Sequence, residues 1–383
     1  MKSDTDLNYI RTRLIAFYLP QFHPIPENDR WWSKGFTEWT NVVRAKPLFP
    51  GHYQPHIPAD LGFYDLRLPE SRQSQADLAR EYGIYGFCYY HYWFNGKRLL
   101  ERPFNEVLAS GKPDFPFCLA WANEPWSRRW HGNPEDVLQP QTYGGDEDDI
   151  AHIRWLARAF HDNRYIKVEG KPLFLIYRVD QLPDPSRTVA LWHKEVARAG
   201  LPGIHLVSME TSFNPGWDPT QAGFDASLLF QPQFHKALRY SSWVPLLQRF
   251  LARLQRHDII RYYDYRKVWP ILDICNPVPY RRYYSVCPGW DNTPRRGGAG
   301  FILHNSTPQA YEEWLTKAIS RVQTEPRDHQ IVFINAWNEW AEGNHLEPDF
   351  HHGLAYLEAT KRALLRTALS NFNVIQAKTV STG

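Results

Sequence analysis

Short apolar runs alternate along the chain with stretches whose apolar residues recur at helical spacing. The runs occupy residues 14–23, 85–94, 115–123, 172–179, 204–210, 224–231, 283–292 and 331–340. Rich in β-branched and aromatic residues and nearly continuous in hydrophobicity, they have the pattern of strands buried on both faces. Between them, residues 68–82, 150–160, 188–199 and 311–322 read as helices, with a further one at 354–369. Pro69 stands near the start of the first, Gly83 just past its end, and Gly200 closes the third. Eight such strands, mostly separated by helices, predict an α/β fold: a (β/α)₈ barrel forming one domain over residues 1–383. Two segments fall outside the rhythm. Residues 235–282 form an insertion between the sixth and seventh strands, with ten Lys or Arg against three Asp from Lys236 to Arg282. Tyr240, Trp243, Tyr262, Tyr263, Tyr265 and Trp269 interleave with those charges, which suits either a helical excursion with basic outer faces or a contact for an anionic ligand. Residues 372–383 read as a polar tail.

The polar and aromatic residues fall at particular strand ends. His23 closes the first strand, and His91, Tyr92 and Trp93 the second. Trp121, Asn123, Glu124 and Trp126 follow the third, Trp290 and Asp291 the seventh, and Asn338 the eighth. These are C-terminal ends, the rim on which such barrels build active sites. The long Pro- and Trp-rich connection after the first strand adds Glu38 and Trp39, and its length and aromatic load mark it as functional rather than disordered.

The eighth strand is the most pointed. Its I-V-F-I-N-A-W-N-E-W-A-E-G-N-H-L-E-P passes abruptly from a buried strand to Asn338, Glu339, Glu342, His345 and Glu347. Glu339 and Glu342 are three apart, so a helical turn after Trp340 places their Cβ atoms about 5–6 Å apart on one face. Like charges that close raise one pKa and give a proton donor and a proton acceptor near neutral pH. Solvated acids opening a surface helix would also suit the dipole, but Trp337 and Trp340 argue against a bare turn.

Composition narrows the classes. A formal charge of +3 over 383 residues gives no global case for a nucleic-acid partner. Aromatic residues make up 15% of the chain; at strand ends their flat faces suit sugar rings, whereas an even spread would mean a bulky core. Cys88, Cys118, Cys275 and Cys287 lack C-x-x-C spacing, so neither a zinc site nor a redox pair is indicated. His23 and His91 lack a second histidine at ligand spacing, and no glycine-rich phosphate cradle or nucleophile elbow is present. No metal and no cofactor are therefore expected, and the partner expected is an oligo- or polysaccharide. With no apolar h-region at the start and no 18-residue apolar span, the expected location is cytoplasmic, without an integral membrane segment.

These motifs carry a family resemblance. N-E-W-A-E-G-N-H-L-E-P is similar to the N-E-W-H-E-G-T-Q-I-E-P stretch of family 99 glycoside hydrolases, the endo-α-mannosidases. Taken with F-Y-L-P-Q-F-H-P, W-W-S-K-G-F-T-E-W-T-N and W-A-N-E-P-W-S-R-R-W, it resembles the WbsX-like polysaccharide biosynthesis proteins, a related barrel group often labelled glycosyltransferases. The resemblance implies that Glu339 deprotonates the sugar's own 2-hydroxyl, whose oxygen attacks the anomeric carbon to give a 1,2-anhydro sugar. It implies that Glu342 protonates the leaving oxygen and later activates water. Trp290 and Asp291 lie in a stretch similar to the family's seventh-strand motif, whereas the family's histidine between the two glutamates is Ala341 here. A second carboxylate site, Asn123-Glu124-Pro125, resembles the acid/base motif of many retaining glycosidases. That motif belongs to a fourth strand and this one follows a third, so Asn123 and Glu124 are read as partners for sugar hydroxyls. The expectation is a retaining endo-α-mannosidase-like hydrolase; a glycosyltransferase of O-antigen or cell-surface polysaccharide biosynthesis and a non-catalytic sugar-binding barrel are the alternatives.

Overall fold

The structure, a computed structural model, describes residues 11–127, 136–239 and 261–381. Tyr240, Trp243 and residues 128–130 of the third-strand motif lie outside the described residues. Eight parallel strands close on themselves: β1 (Arg13–Tyr18), β2 (Gly86–Phe94), β3 (Phe117–Trp121), β4 (Lys171–Ile176), β5 (His205–Glu210), β6 (Ala226–Leu229), β7 (Arg282–Val286) and β8 (Ile331–Ile334). β1 pairs with β2 on one side and with β8 on the other, Ala16 standing opposite both Phe87 and Ile334. Closure leaves the barrel no free edge, so every strand is covered on both faces and reads as a continuous apolar run.

Around the barrel lie α1 (Pro69–Glu81), α2 (Arg102–Ser110), α3 (Asp146–Phe160), α4 (Pro185–Arg198), α5 (Tyr265–Leu272), α6 (Pro308–Val322) and α7 (Ala355–Ser381). Proline at the first turn starts α1, α4 and α6, where its missing N–H costs nothing. The side chains of Asp184 and Thr307 cap α4 and α6 by accepting from the backbone N–H of Arg187 and Ala310. α7 continues through the residues whose composition reads as a polar tail. Inside the barrel Phe17 meets Phe230, Phe333 and Tyr90 at 5.0, 5.6 and 5.5 Å between ring centroids. The largest fully buried side chains include Trp121, Trp192, Trp314 and Trp337, so much of the aromatic excess fills the core.

Two strand ends differ from expectation, each for a local reason. β7 ends at Val286, before Pro288-Gly289, and Trp290–Asp291 forms a separate strand antiparallel to Phe301–His304. That strand pairs in turn with Arg261–Asp264, giving a small sheet on the rim. β8 ends at Ile334, and Asn338–Glu339 instead pairs with Asn344–His345. The described part of the basic insertion is docked rather than free: α5 lies in the helical layer, Trp269 stacks on Trp314 of α6, and Asp273 is ion-paired with Lys317 and Arg321. All four cysteines are free, and Cys88, Cys118 and Cys287 are buried.

Candidate active site

The turn after β8 is held to the end of β1 by three hydrogen bonds. The backbone N–H of Trp337 donates to the carbonyl of Phe17 at 2.8 Å, and the Asn338 amide bonds both the N–H and the carbonyl of Leu19. The chain then makes one 3₁₀ turn, Trp340–Glu342, directly after Glu339. Side chains three apart eclipse in that geometry, so Glu339 and Glu342 point the same way. Gly343 ends the turn with φ +55, and a Cβ there would stand 3.0 Å from the Cβ of Asp291. Only glycine suits both the left-handed backbone and the close approach.

Both acids meet Arg295, which no feature of the sequence singled out. Its Nη1 donates to Glu342 Oε1 at 2.7 Å and its Nη2 to Glu339 Oε2 at 3.1 Å, while its Nε donates to Glu38 Oε1 at 2.7 Å. Glu38 is the first residue of the helix Glu38–Arg44 and its side chain is 1% exposed; those of Glu339 and Glu342 are 8% exposed. Three carboxylates thus share one guanidinium, a formal surplus of two negative charges in a nearly dry place. Burial, followed by the charge of Glu342, pushes Glu339 up to about 8. Burial also raises Glu342, with Arg295 opposing and Glu38 assisting. The pair therefore holds a proton in the neutral range, and its titration belongs to the pair rather than to either residue.

The tyrosines around the cluster follow from strand periodicity. On β2, residues 90 and 92 face the acids, and burial together with the charges of Glu339 and Glu342 raises both phenols. Tyr177, just past β4, has Glu124 and Glu342 among its charged neighbours. Tyr90 and Tyr177 were not expected from the sequence; strict alternation from Tyr92 finds the first of them. Trp126 packs on Tyr92 at 5.1 Å and on Trp31 at 5.8 Å, forming a half-buried wall beside the cluster.

Other expected substrate contacts are placed elsewhere. His91 and Trp93 alternate to the outside of β2, where His91 bonds His152 and Trp93 Nε1 donates to Asp148, both on α3. Trp121 is fully buried against His152 and Trp192. Trp39 donates to the carbonyl of Tyr64 and packs between Phe22 and Trp340. Asn123 spends its amide on Tyr143 and on the backbone of Arg178, and Asn338 spends its own on Leu19 and Tyr64. His23 is buried against the carbonyl of Pro20, its pKa lowered to about 4 by burial. Asp291 accepts from Gln54 Nε2 and from Thr293, and pairs with His52 Nε2 at 2.6 Å. Although burial works against it, these bonds keep Asp291 below the usual carboxylate range, suiting an anchor rather than a substrate contact. Glu124 pairs with Arg178 Nη1 at 2.5 Å, and Trp290 packs on Phe234. Beneath the turn lies Glu347. It accepts from Tyr64, Gln75 and Trp340 at 2.8, 2.6 and 2.6 Å, and burial pushes it up to about 7.

Comparison with known proteins places the fold and the family. The GH99 endo-alpha-mannosidase of Bacteroides thetaiotaomicron superposes with a TM-score of 0.56 at 16% identity, covering 94% of this chain and 98% of that one. A structure described as a glycoside hydrolase-like protein gives 0.53 at 13% identity, covering 92% and 94%. At such identities the likeness establishes the barrel alone. The uncharacterized protein WxcX of Xanthomonas campestris pv. campestris is 46% identical over 354 residues, which is 92% of this chain and 50% of WxcX. The chain thus spans about half the length of the curated relatives it matches. The family model described as glycosyltransferase WbsX matches residues 14–360, from the first residues of the barrel to its closing helix, and the chain belongs to that family.

Proposed function

We propose that the chain is a carbohydrate-active enzyme of the endo-α-mannosidase type, a retaining glycoside hydrolase with Glu339 as base and Glu342 as acid. The observation that supports this reading is the convergence of Glu38, Glu339 and Glu342 on the single guanidinium of Arg295. Protonating a glycosidic oxygen needs a carboxylic acid still neutral near pH 7, and activating a hydroxyl needs a carboxylate beside it. A buried site with more carboxylates than cations supplies both. In the free site burial raises both acids, so the pair holds one proton between them. For the reaction that proton must stand on Glu342 while Glu339 takes one from the 2-hydroxyl, and Arg295, always charged and bonded to both, carries no proton between them. Arg295 stabilises whichever carboxylate is ionised at each stage, while Tyr90, Tyr92 and Trp126 line the space beside them.

The same charge balance weighs on the transferase reading that the family description supplies. A nucleoside-diphosphate sugar brings anionic phosphates to a place already negative, and Arg295 is engaged by three carboxylates. A neutral oligosaccharide meets no such repulsion. Incubation with α-mannan oligosaccharides, with and without added sugar acceptors, followed by proton NMR of the anomeric signals, tests the reading. The expected result is a shortened chain whose new reducing end first appears with the configuration of the substrate. Product only with an acceptor moves the assignment to transfer, and binding without product removes catalysis. The acid and base are then told apart with an activated aryl leaving group, which restores turnover to a variant lacking the acid and not to one lacking the base.

A further inference from the structure

Beside Gly343 of the same turn lies a cleft of about 370 Å³ whose lining includes His52, His304, His351 and His352. At its inner edge His56, His345 and Asp349 bring one ligand atom each to within 4.8 Å of one another. We propose that His56, His345 and Asp349 bind a divalent cation of the zinc class, which pins the loop after β1 to the turn that carries Glu339 and Glu342.

The geometry is that of ligands already oriented. The Nδ1 of His345 lies 2.9 Å from the carbonyl oxygen of Glu347, which can only accept, so Nδ1 carries the hydrogen and the lone pair of Nε2 faces the cluster. That Nε2 lies 2.8 Å from His56 Nδ1 and 3.8 Å from Asp349 Oδ2. Tetrahedral zinc at its usual bond lengths holds two ligand atoms roughly 3.3 Å apart. Opening the first gap and closing the second, each by roughly half an ångström, and drawing His56 and Asp349 together from within 4.8 Å seats the ion. The hydrogen that His56 Nδ1 shares with His345 then moves to Nε2 of the same neutral ring, so no net charge is lost from the protein. Both rings are held by stacking, His345 on Trp340 at 3.7 Å and His56 on Tyr53 at 4.1 Å. Asp349 is fixed through its other oxygen, which accepts the backbone N–H groups of His351 and His352.

Two imidazoles and one carboxylate favour a borderline ion such as Zn²⁺ over Mg²⁺ or Ca²⁺, which prefer oxygen alone. The sequence hid the trio, because His56 and His345 are 289 residues apart and short ligand spacings never bring them together. The backbone supports the clamp: the N–H of Ala59 bonds the carbonyl of Pro348, and that of Phe350 bonds the carbonyl of Ile57. In the short ladder Asn338 faces His345 and Glu339 faces Asn344, so the ion would lie one rung from a candidate catalytic acid.

The test uses the full chain, stripped with a chelator, dialysed, and titrated with zinc chloride by calorimetry, with cobalt(II) absorption as a geometric readout. One equivalent of zinc, a rise in Tm on loading, and the intense visible bands of four-coordinate cobalt are expected. His345→Gln and His56→Gln should each weaken binding by on the order of 100-fold or more, whereas His351→Gln, which lines the cleft without belonging to the trio, should leave it unchanged. Should His345→Gln fail to fold by circular dichroism, the more exposed His56→Gln decides. Absence of zinc binding in the parent chain overturns the proposal, as does binding that survives in the His56→Gln/Asp349→Asn double variant or that follows His351 instead.

Discussion

Two strand ends of this barrel each present a glutamate to an arginine, and they do opposite things with it. After β3, Glu124 is paired with Arg178, which also holds Asp180; those carboxylates are 32% and 28% exposed. After β8, Arg295 faces three carboxylates, none more than 8% exposed. The first arrangement approaches charge balance in contact with water and keeps Asp180 below its ordinary value, chiefly through the hydrogen bonds from Arg178. In the second, burial and unequal numbers raise Glu339 and Glu342 despite the guanidinium. An arginine beside an acid therefore does not by itself decide whether the acid is ionised; the ratio of charges and the access of water decide it.

The contrast can be broken most sharply by kinetics. Glu339→Gln and Glu342→Gln should each lower kcat by about 10²–10⁴, the scale of losing a general acid or base, with Tm nearly unchanged at about pH 5, where the acids are protonated. Glu124→Gln should keep most of the activity, and a Glu124→Gln loss as large as either would exchange the two sites. Next comes Arg295→Met, which strands three buried carboxylates and should cost about 3–5 kcal/mol of unfolding free energy in denaturant melts. That loss should deepen as pH rises, because the stranded acids must then ionise. Arg178→Met, whose partners reach water, should cost about 1 kcal/mol or less.

A smaller effect separates the tryptophans. Trp126→Ala should weaken oligosaccharide binding by the roughly 0.5–1.5 kcal/mol that one ring contact contributes, seen by calorimetry with little change in Tm. The same change at Trp121, which is fully enclosed, should instead lower stability and leave the affinity of the folded fraction alone.

The subtlest test is the pH dependence of stability. A carboxyl group whose folded pKa is raised stabilises the fold while protonated. For Glu339 that contribution is complete below about 4.5 and is lost as pH rises through about 8. Glu339→Gln keeps a neutral group there throughout, so its Tm should fall less than that of the parent chain between pH 5 and 8. Parallel curves would show that the pair holds no proton above the ordinary carboxylate range.

The barrel was legible because each strand, covered on both faces, is an apolar run with polar residues only at its end. The acids of the β8 turn were legible for the same reason. What strand ends hide is direction. His91, Tyr92 and Trp93 look equivalent in the chain, yet alternation sends Tyr92 to the acids and its two neighbours to α3. Asn123 and Asn338 look like ligands for sugar and bond backbone, because the bends they stabilise leave buried N–H and carbonyl groups that need partners, while Asp291 bonds His52, Gln54 and Thr293. Arg295 stayed hidden because its role is set by Glu38, which precedes it by 257 residues. The demand for it could still have been inferred, since three acids on one dry rim need a cation.

The bonds from Trp337 and Asn338 to Phe17 and Leu19 reach across the seam where the first and last strands meet, the latter contact spanning 319 residues. Loop closure over such a distance comes late in assembly, after nearer pairings have formed. A nascent chain still lacking its final strand therefore has neither a finished cylinder nor Glu339 and Glu342 beside Arg295, and the cluster assembles in the same step that completes the wall.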